Sequence, residues 1–210
     1  MEILQMSKNI WPRKTQIQID FSEHTRLDLI EFAISITNAN NYLEIGCLEN
    51  FVFDKVNVKH KIGVDPRQGG NLRMHSDDFF KSNTEKFDVI FIDGDHEYQQ
   101  VKRDVYNSIN CITDKGWIII HDVLPTSRKD TVVSNHGDAW RVSFDLLKET
   151  KLCYKIVKID WGCGLILPGT QNTKKIKLKR KNIPVSWNYY IKYFDKLPII
   201  TFNELKEIVN

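Results

Sequence analysis

Two apolar runs in this 210-residue chain end in groups that can move protons or hold ions. Phe87-Asp88-Val89-Ile90-Phe91-Ile92 breaks into Asp93-Gly94-Asp95-His96, and Gly116-Trp117-Ile118-Ile119-Ile120 breaks into His121-Asp122. Short runs of this kind read as strands buried on both faces, and strand propensity asks for no carboxylate or imidazole at their ends. Ionisable groups at the carboxyl ends of parallel strands stand where open α/β sheets bind ligands, so two such ends predict one shared site. Clustered carboxylates raise one another's pKa unless a cation lies among them. Oxygen-rich ligands favour Mg²⁺, Mn²⁺ or Ca²⁺, and two histidines would also accept Fe²⁺ or Zn²⁺. Asp93 with Asp122 is the expected ion-binding pair. Asp95 is open between that role and capping a helix that starts near Glu97.

A second constellation precedes it. Leu43-Glu44-Ile45-Gly46 ends a first strand at an acid and a glycine, and Gly63-Val64-Asp65 ends a second strand at an acid about 20 residues on. A glycine there lets polar groups of a cofactor approach bare backbone, and an acid ending the second strand can accept both hydroxyls of a ribose. A plain strand-end turn is the alternative. The continuation Cys47-Leu48-Glu49-Asn50 carries no further glycine, which argues against a pyrophosphate cradle and so against a dinucleotide. His75 and His136 have no expected partner and read as solvated or ordinary hydrogen-bonding histidines.

The elements that must position these groups follow from periodicity. Ser22 could cap a helix running to about Thr37, with Leu29, Ile30, Ala33 and Ile36 near helical spacing. Strands are expected at 42–46, 61–65, 72–76, 87–93, 117–121, 152–159 and 164–167, with helices from Glu97 to Cys111 and from Asp138 to Thr150. Asp114-Lys115-Gly116 reads as a turn, and Asp160-Trp161-Gly162-Cys163-Gly164 as the turn of an antiparallel hairpin. Strands separated by helices give a doubly wound, mostly parallel sheet of the Rossmann-like α/β class, seven-stranded, closed by a C-terminal antiparallel hairpin. The expected organisation is an N-terminal extension at 1–22, the main domain at 23–169, and a basic and aromatic C-terminal extension at 170–210 that packs on it. Loop 123–137 and the aromatic tail, with Trp140, Trp187, Tyr189 and Tyr190, are expected to cover a substrate or to pack as core.

Composition sets outer bounds. A hydrophobic content of 41% supports one sizeable α/β core. The net charge is +3, but Lys174, Lys175, Lys177, Lys179, Arg180 and Lys181 crowd into one run, and the remainder is mildly acidic. That run suits an edge strand guarded by lysines better than a nucleic-acid surface, because no aromatic residue interleaves it to stack bases. Cys47, Cys111, Cys153 and Cys163 form no C-x-x-C pair, which disfavours a zinc knuckle. There is no signal-peptide pattern and no apolar window long enough for a membrane span, so a reduced cytoplasm is expected.

Taken together, Leu43-Glu44-Ile45-Gly46, Gly63-Val64-Asp65, Phe87 to His96 and Gly116 to Asp122 resemble class I S-adenosylmethionine-dependent methyltransferases. Within that class the resemblance is to small-molecule O-methyltransferases related to the catechol and macrocin enzymes, and it spans about residues 25–168. It implies that Glu44 and Gly46 border the methionine part of S-adenosylmethionine and that Asp65 holds the ribose. It implies further that Ser76, Asp77 and Asp78 lie near adenine, and that Asp93 belongs to both cofactor and metal sites. Asp93 and Asp122, with His121 adjacent, match the positions that hold a divalent metal, Mg²⁺ or Mn²⁺. His96 falls where the catechol enzyme has its general base, and an imidazole there could take a hydroxyl proton near neutral pH. The implied function is metal-assisted O-methylation of a hydroxylated small molecule, a sugar or natural-product intermediate. Two other readings of the same residues stay open: a non-haem iron oxygenase using His96, His121 and an aspartate, and a non-catalytic binding module on the same fold. No membrane partner is expected, nucleic acid is disfavoured, and self-association is open.

Overall fold

The computed structural model describes residues 16–132, 136–149, 151–169 and 186–209. Seven strands form one sheet: β1 (Asn41–Ile45), β2 (His60–Val64), β3 (Phe87–Ile92), β4 (Ile112–Ile120), β5 (Cys153–Val157), β6 (Cys163–Leu167) and β7 (Ile199–Ile200), in the order β2-β1-β3-β4-β6-β5-β7. The pairs β2/β1, β1/β3 and β3/β4 are parallel, and β6 runs antiparallel to both β4 and β5. The Rossmann-like α/β sheet with its late antiparallel hairpin is therefore as the sequence implies.

The apolar runs bury both faces of the sheet. Ile90, Ile92, Ile118 and Ile120 point into one core with α3 (Tyr98–Cys111), α4 (Val142–Leu146) and α5 (Trp187–Tyr193). Val89, Phe91, Trp117 and Ile119 point into the other, where α1 (Arg26–Thr37) and α6 (Phe202–Val209) lie. Phe32 of α1 meets Phe202 and Trp117 edge-on at ring separations of 5.4 and 6.0 Å. Such pairs contribute about 0.5–1.5 kcal/mol each beyond the area they bury.

Several elements differ from expectation. Residues 72–76 make no strand, and Leu72 forms a single bridge to Val64; the helical turn the sequence suggests at 77–81 is present as α2 (Ser76–Ser82). The seventh strand is instead Ile199–Ile200, which pairs in parallel with β5. A two-residue strand leaves no alternation to read. Asp114-Lys115-Gly116 does not end β4; the register slips between Phe87 and Val89, so the residues are absorbed as an irregularity within the strand. The helix expected over 138–150 is a 3-10 turn at Ala139–Arg141 followed by α4. Helix α1 is capped by Thr25, not Ser22, in a reciprocal box with Asp28. Of the two roles left open for the aromatic tail, core packing holds for Trp187 and Tyr190 in one core, and Phe202 and Leu205 sit in the other. The basic run 174–181 lies outside the described residues.

Candidate active site

The tips of β1, β3 and β4 meet at one end of the sheet. The Asp93 N–H donates to the Ile45 carbonyl (2.8 Å), the His121 N–H to that of Ile92 (3.0 Å), and the Gly46 N–H to that of Val64 (2.9 Å). Gly46 has φ +86°, and a Cβ there would stand 2.4 Å from the Asp93 carbonyl oxygen. The glycine is required by this close approach of β1 to β3. Asp122 has φ +59°, a left-handed backbone for a non-glycine residue that turns the chain as it leaves β4.

Beyond these tips lies a cavity of ≈ 1120 Å³. Glu44, Gly46, Asp65, Ser76, Asp77 and Asp93, all expected at a cofactor, line it together with His96, His121 and Asp122. Leu48 and Phe51 give it an apolar rim, and both are largely exposed.

Glu44 is buried on the cavity floor, and its Oε2 accepts the Tyr42 hydroxyl at 2.5 Å. Burial pushes its pKa up to about 7, the Tyr42 bond opposes this, and the charge of Asp93 adds to the rise. Asp65 spends its carboxylate on the backbone. Oδ2 accepts the N–H groups of Cys47 (3.0 Å) and Leu48 (3.1 Å), and Oδ1 those of Arg67 (2.7 Å) and Gln68 (3.0 Å). Burial would raise its pKa, but these four bonds hold it below the ordinary range. Asp65 thus organises the two loops that border the cavity, and a ribose would share a carboxylate already so engaged. Ser76 and Asp77, at the start of α2, receive the Gln100 amide at 3.1 and 3.3 Å. Gln100 also reaches Asp104, whose burial pushes its pKa up to about 6.

The acidic and imidazole groups converge at the other end. Ligand atoms of Asp93, His96 and Asp122 all lie within 4.8 Å of one another. His96 Nε2 is 3.6 Å from Asp93 Oδ1 and 3.5 Å from Asp122 Oδ2. His121 Nε2 donates to the Asp160 carbonyl oxygen (2.7 Å), leaving Nδ1 3.3 Å from Asp93 Oδ1 and 3.1 Å from Asp122 Oδ1. Burial lowers the His121 pKa, but the charge of Asp93 and contacts with both acids more than reverse this, to about 10. Burial would likewise raise the Asp93 carboxyl; His121, His96 and Arg26 hold it far below the usual carboxylate range.

Arg26, Asp160 and His136 were not expected at the site. Arg26, the first residue of α1, reaches Asp93 Oδ2 through Nη1 (2.5 Å) and Asp160 Oδ2 through Nε (2.6 Å). The Arg26 N–H also donates to Asp160 Oδ2 (3.2 Å), so that acid sits at the positive end of the helix as well. His136 places Nδ1 3.1 Å from Asp122 Oδ1 and stacks on Trp161 at 4.3 Å. Nothing local marks Arg26, whose partners are far along the chain. Asp160-Trp161-Gly162 did carry a signal, but only as a turn. It is one: φ is positive at all three residues, and a Cβ on Gly162 would stand 2.5 Å from Leu124.

Asp95 is not an N-cap. Glu97 takes that position, its N–H donates to Asp95 Oδ1 (2.9 Å), and Asp138 receives the Tyr98 N–H from across the loop.

The site passes a test for a divalent cation on its own atoms. Asp122 Oδ1 and His121 Nδ1 are sealed from solvent and lie 3.1 Å apart without a well-aligned hydrogen bond, with His136 Nδ1 3.1 Å from the same oxygen. Buried carboxylates that converge with so few aligned donors are the kind of group a divalent cation completes. Asp93, His96 and Asp122 are the residues positioned to hold it.

No curated protein sequence matches the chain. Solved structures share the fold at low identity. An O-methyltransferase from Bacillus cereus in complex with SAH is 16% identical, with 70% of this chain and 82% of that chain covered and a TM-score of 0.51. TomG from Streptomyces achromogenes, an O-methyltransferase of tomaymycin synthesis in complex with SAM, is 12% identical over 69% and 79% of the two chains, TM-score 0.54. SAH-bound methyltransferase PaMTH1 from Podospora anserina is 12% identical over 69% and 78%, TM-score 0.54. Residues 36–123, which carry β1 to β4 together with Asp93, His96, His121 and Asp122, match the family model of a methyltransferase domain. The chain thus shares its fold with methyltransferase structures solved with SAM or SAH, and the segment 36–123 within that fold is similar to a methyltransferase-domain model.

Proposed function

We propose that the chain transfers the methyl group of S-adenosylmethionine to a hydroxyl oxygen of a small, polar acceptor, a sugar or natural-product intermediate. The observation that carries this reading is that the expected cofactor residues and the acid–imidazole cluster line one cavity of ≈ 1120 Å³. That is room for a nucleoside-sized cofactor with an acceptor beside it. On this reading Glu44 faces the amino-acid part of the cofactor. Ser76 and Asp77 border adenine under the apolar rim of Leu48 and Phe51, and the Asp65-ordered loops flank the ribose. Asp93, His96 and Asp122 stand beside the reacting hydroxyl, with Trp161 and His136 as the acceptor-side wall. A divalent cation held there would supply a lowered hydroxyl pKa and a fixed position for the nucleophile. The protein's remaining task is orientation of oxygen against sulfonium methyl and exclusion of water.

The test is transfer of labelled methyl from S-adenosylmethionine to a panel of polyhydroxylated acceptors, with and without divalent cations. Label in an acid-stable, base-stable ether on the acceptor is expected. Label found only in a thioether or amine product would replace the O-methyl assignment. Among the described residues no helix is long and apolar enough to cross a membrane.

A further inference from the structure

A smaller cavity, ≈ 260 Å³, opens where three chain segments meet: the 3-10 turn Arg128–Thr131, the 3-10 turn Ala139–Arg141 and the start of α5. None of the residues around it lines the larger cavity. What it offers is donors, from Arg128, Trp140, Arg141, Ser186 and Asn188. Trp140 is 2% exposed, and its Nε1 is buried with no acceptor; Nε of Arg141, the next residue, is in the same position. Arg141 lays its guanidinium on the Tyr98 ring, 4.6 Å from the centroid, and gives Nη1 to Asp138 Oδ2 (2.6 Å). The edge formed by Nε and Nη2 can pair with an oxyanion through two parallel bonds, and among the described residues it has no acceptor. Arg128 is exposed and forms no ion pair with a described residue. Ser186 Oγ accepts the Tyr189 N–H (3.4 Å), which leaves its own hydrogen to donate. Among the described residues Asp138 is the one acid on this wall. Both its oxygens are already supplied, Oδ1 by the Tyr98 N–H (2.5 Å) and Oδ2 by Arg141.

Buried N–H groups without acceptors are rare in folded proteins, and two on adjacent residues beside a second guanidinium call for a ligand made of acceptors. We infer that this cavity binds a phosphoryl group, held between Arg128 and Arg141, with the Trp140 N–H and the Ser186 hydroxyl as further donors. Two guanidiniums against one carboxylate leave the wall net positive. So many donors suit the three oxygens and near-double charge of a phosphoryl group better than the two oxygens of a carboxylate. The volume falls below the about 300–1,000 Å³ of sites for drug-sized ligands, so the cavity takes the charged group and little of what carries it. Asp138 also ties this place to the candidate active site. Its N–H donates to the His96 carbonyl (2.9 Å), and its carboxylate holds the Tyr98 N–H at the start of α3. A ligand that draws on Arg141 therefore bears on the loop that carries His96. The inference does not depend on the methyl-transfer reading.

The probe is inorganic phosphate, titrated calorimetrically into the full chain at constant ionic strength and about pH 8, where it is mostly a dianion. One phosphate per chain is expected, with acetate bound at least about tenfold more weakly. R128Q should weaken phosphate at least about tenfold, and so should R141K, because an ammonium keeps the charge and loses the fork. K55Q removes the same charge outside the cavity and should leave phosphate affinity unchanged. Glycerol phosphate, run in parallel, separates the two sources of the group. Tighter binding than inorganic phosphate assigns a phosphoryl group carried on a molecule, weaker binding a free ion, and either result supports the site. No phosphate uptake by the folded, unmutated chain up to about 10 mM would overturn it. So would acetate bound as tightly as phosphate, or unchanged affinity in folded R128Q. Arg128 is exposed, so R128Q decides the matter even where R141K fails to fold. S-adenosylmethionine uptake, measured on the same samples, reports the cofactor reading separately.

Discussion

Replacing Glu44 with glutamine removes a carboxyl that is 1% exposed and whose pKa burial has pushed from 4.5 to about 7. The folded state binds this proton more tightly than the unfolded chain does. Between the two pKa values the folded state therefore carries more protons, and stability falls as pH rises through that window. A displacement of that size is linked to about 3 kcal/mol, present in full below the unfolded pKa and lost above the folded one. Glutamine keeps an acceptor for the Tyr42 hydroxyl and has nothing to titrate. Other groups titrate alike in both proteins and cancel in the difference. Urea unfolding of wild type and E44Q at about pH 4.5 and about pH 8 should show the variant gaining about 2–3 kcal/mol relative to wild type on going to the higher pH. Parallel stability curves across this range would refute the buried, proton-holding Glu44 on which the cavity floor depends. The same carboxyl gives a functional readout. A cationic amino group placed against it would favour the ionised form, so S-adenosylmethionine binding near pH 6.5 should release a proton, about one at most per site, and the calorimetric heat should vary with buffer. E44Q should abolish that variation.

Further outcomes follow from the same geometry. G46A forces a left-handed residue and a Cβ 2.4 Å from the Asp93 carbonyl, so it should cost about 1–3 kcal/mol from the backbone alone and lose cofactor binding. G94A, whose Cβ would meet its nearest atom at an ordinary 3.4 Å, should change thermal stability little. R26M removes the guanidinium between Asp93 and Asp160, half-buried on all three sides, and should cost about 1–3 kcal/mol in denaturant unfolding. D65N turns an acceptor of four backbone N–H groups into a partial donor; it should destabilise by about 1–3 kcal/mol and weaken S-adenosylmethionine, while a D65N protein as stable as wild type would deny the loop-ordering role.

Much of the site was legible because its signal is local. Runs such as Val89 to Ile92 and Ile118 to Ile120 fix two buried strands, and the change to Asp93, His96, His121 and Asp122 at their ends has no structural motive. What escaped was made by distance or brevity. Arg26 finds Asp93 and Asp160 across 67 and 134 residues, and periodicity says nothing about such pairings. Ile199–Ile200 is too short to show alternation, and its place in the sheet comes from packing beside β5. Asp65 was legible as an acid at a strand end, but four backbone donors around it arise from loop paths that no single residue announces. His136 reads as an ordinary histidine until the loop brings it onto Trp161 and Asp122.

The central claim is that the hollow beyond β1, β3 and β4 receives S-adenosylmethionine at its Glu44 end. Calorimetric titration of the cofactor into the chelator-stripped chain tests it most directly. One site per chain is predicted, weakened by D65N and lost in G46A at temperatures where both variants remain folded. A flat titration up to about 1 mM cofactor, with the protein shown to be folded, would contradict the account.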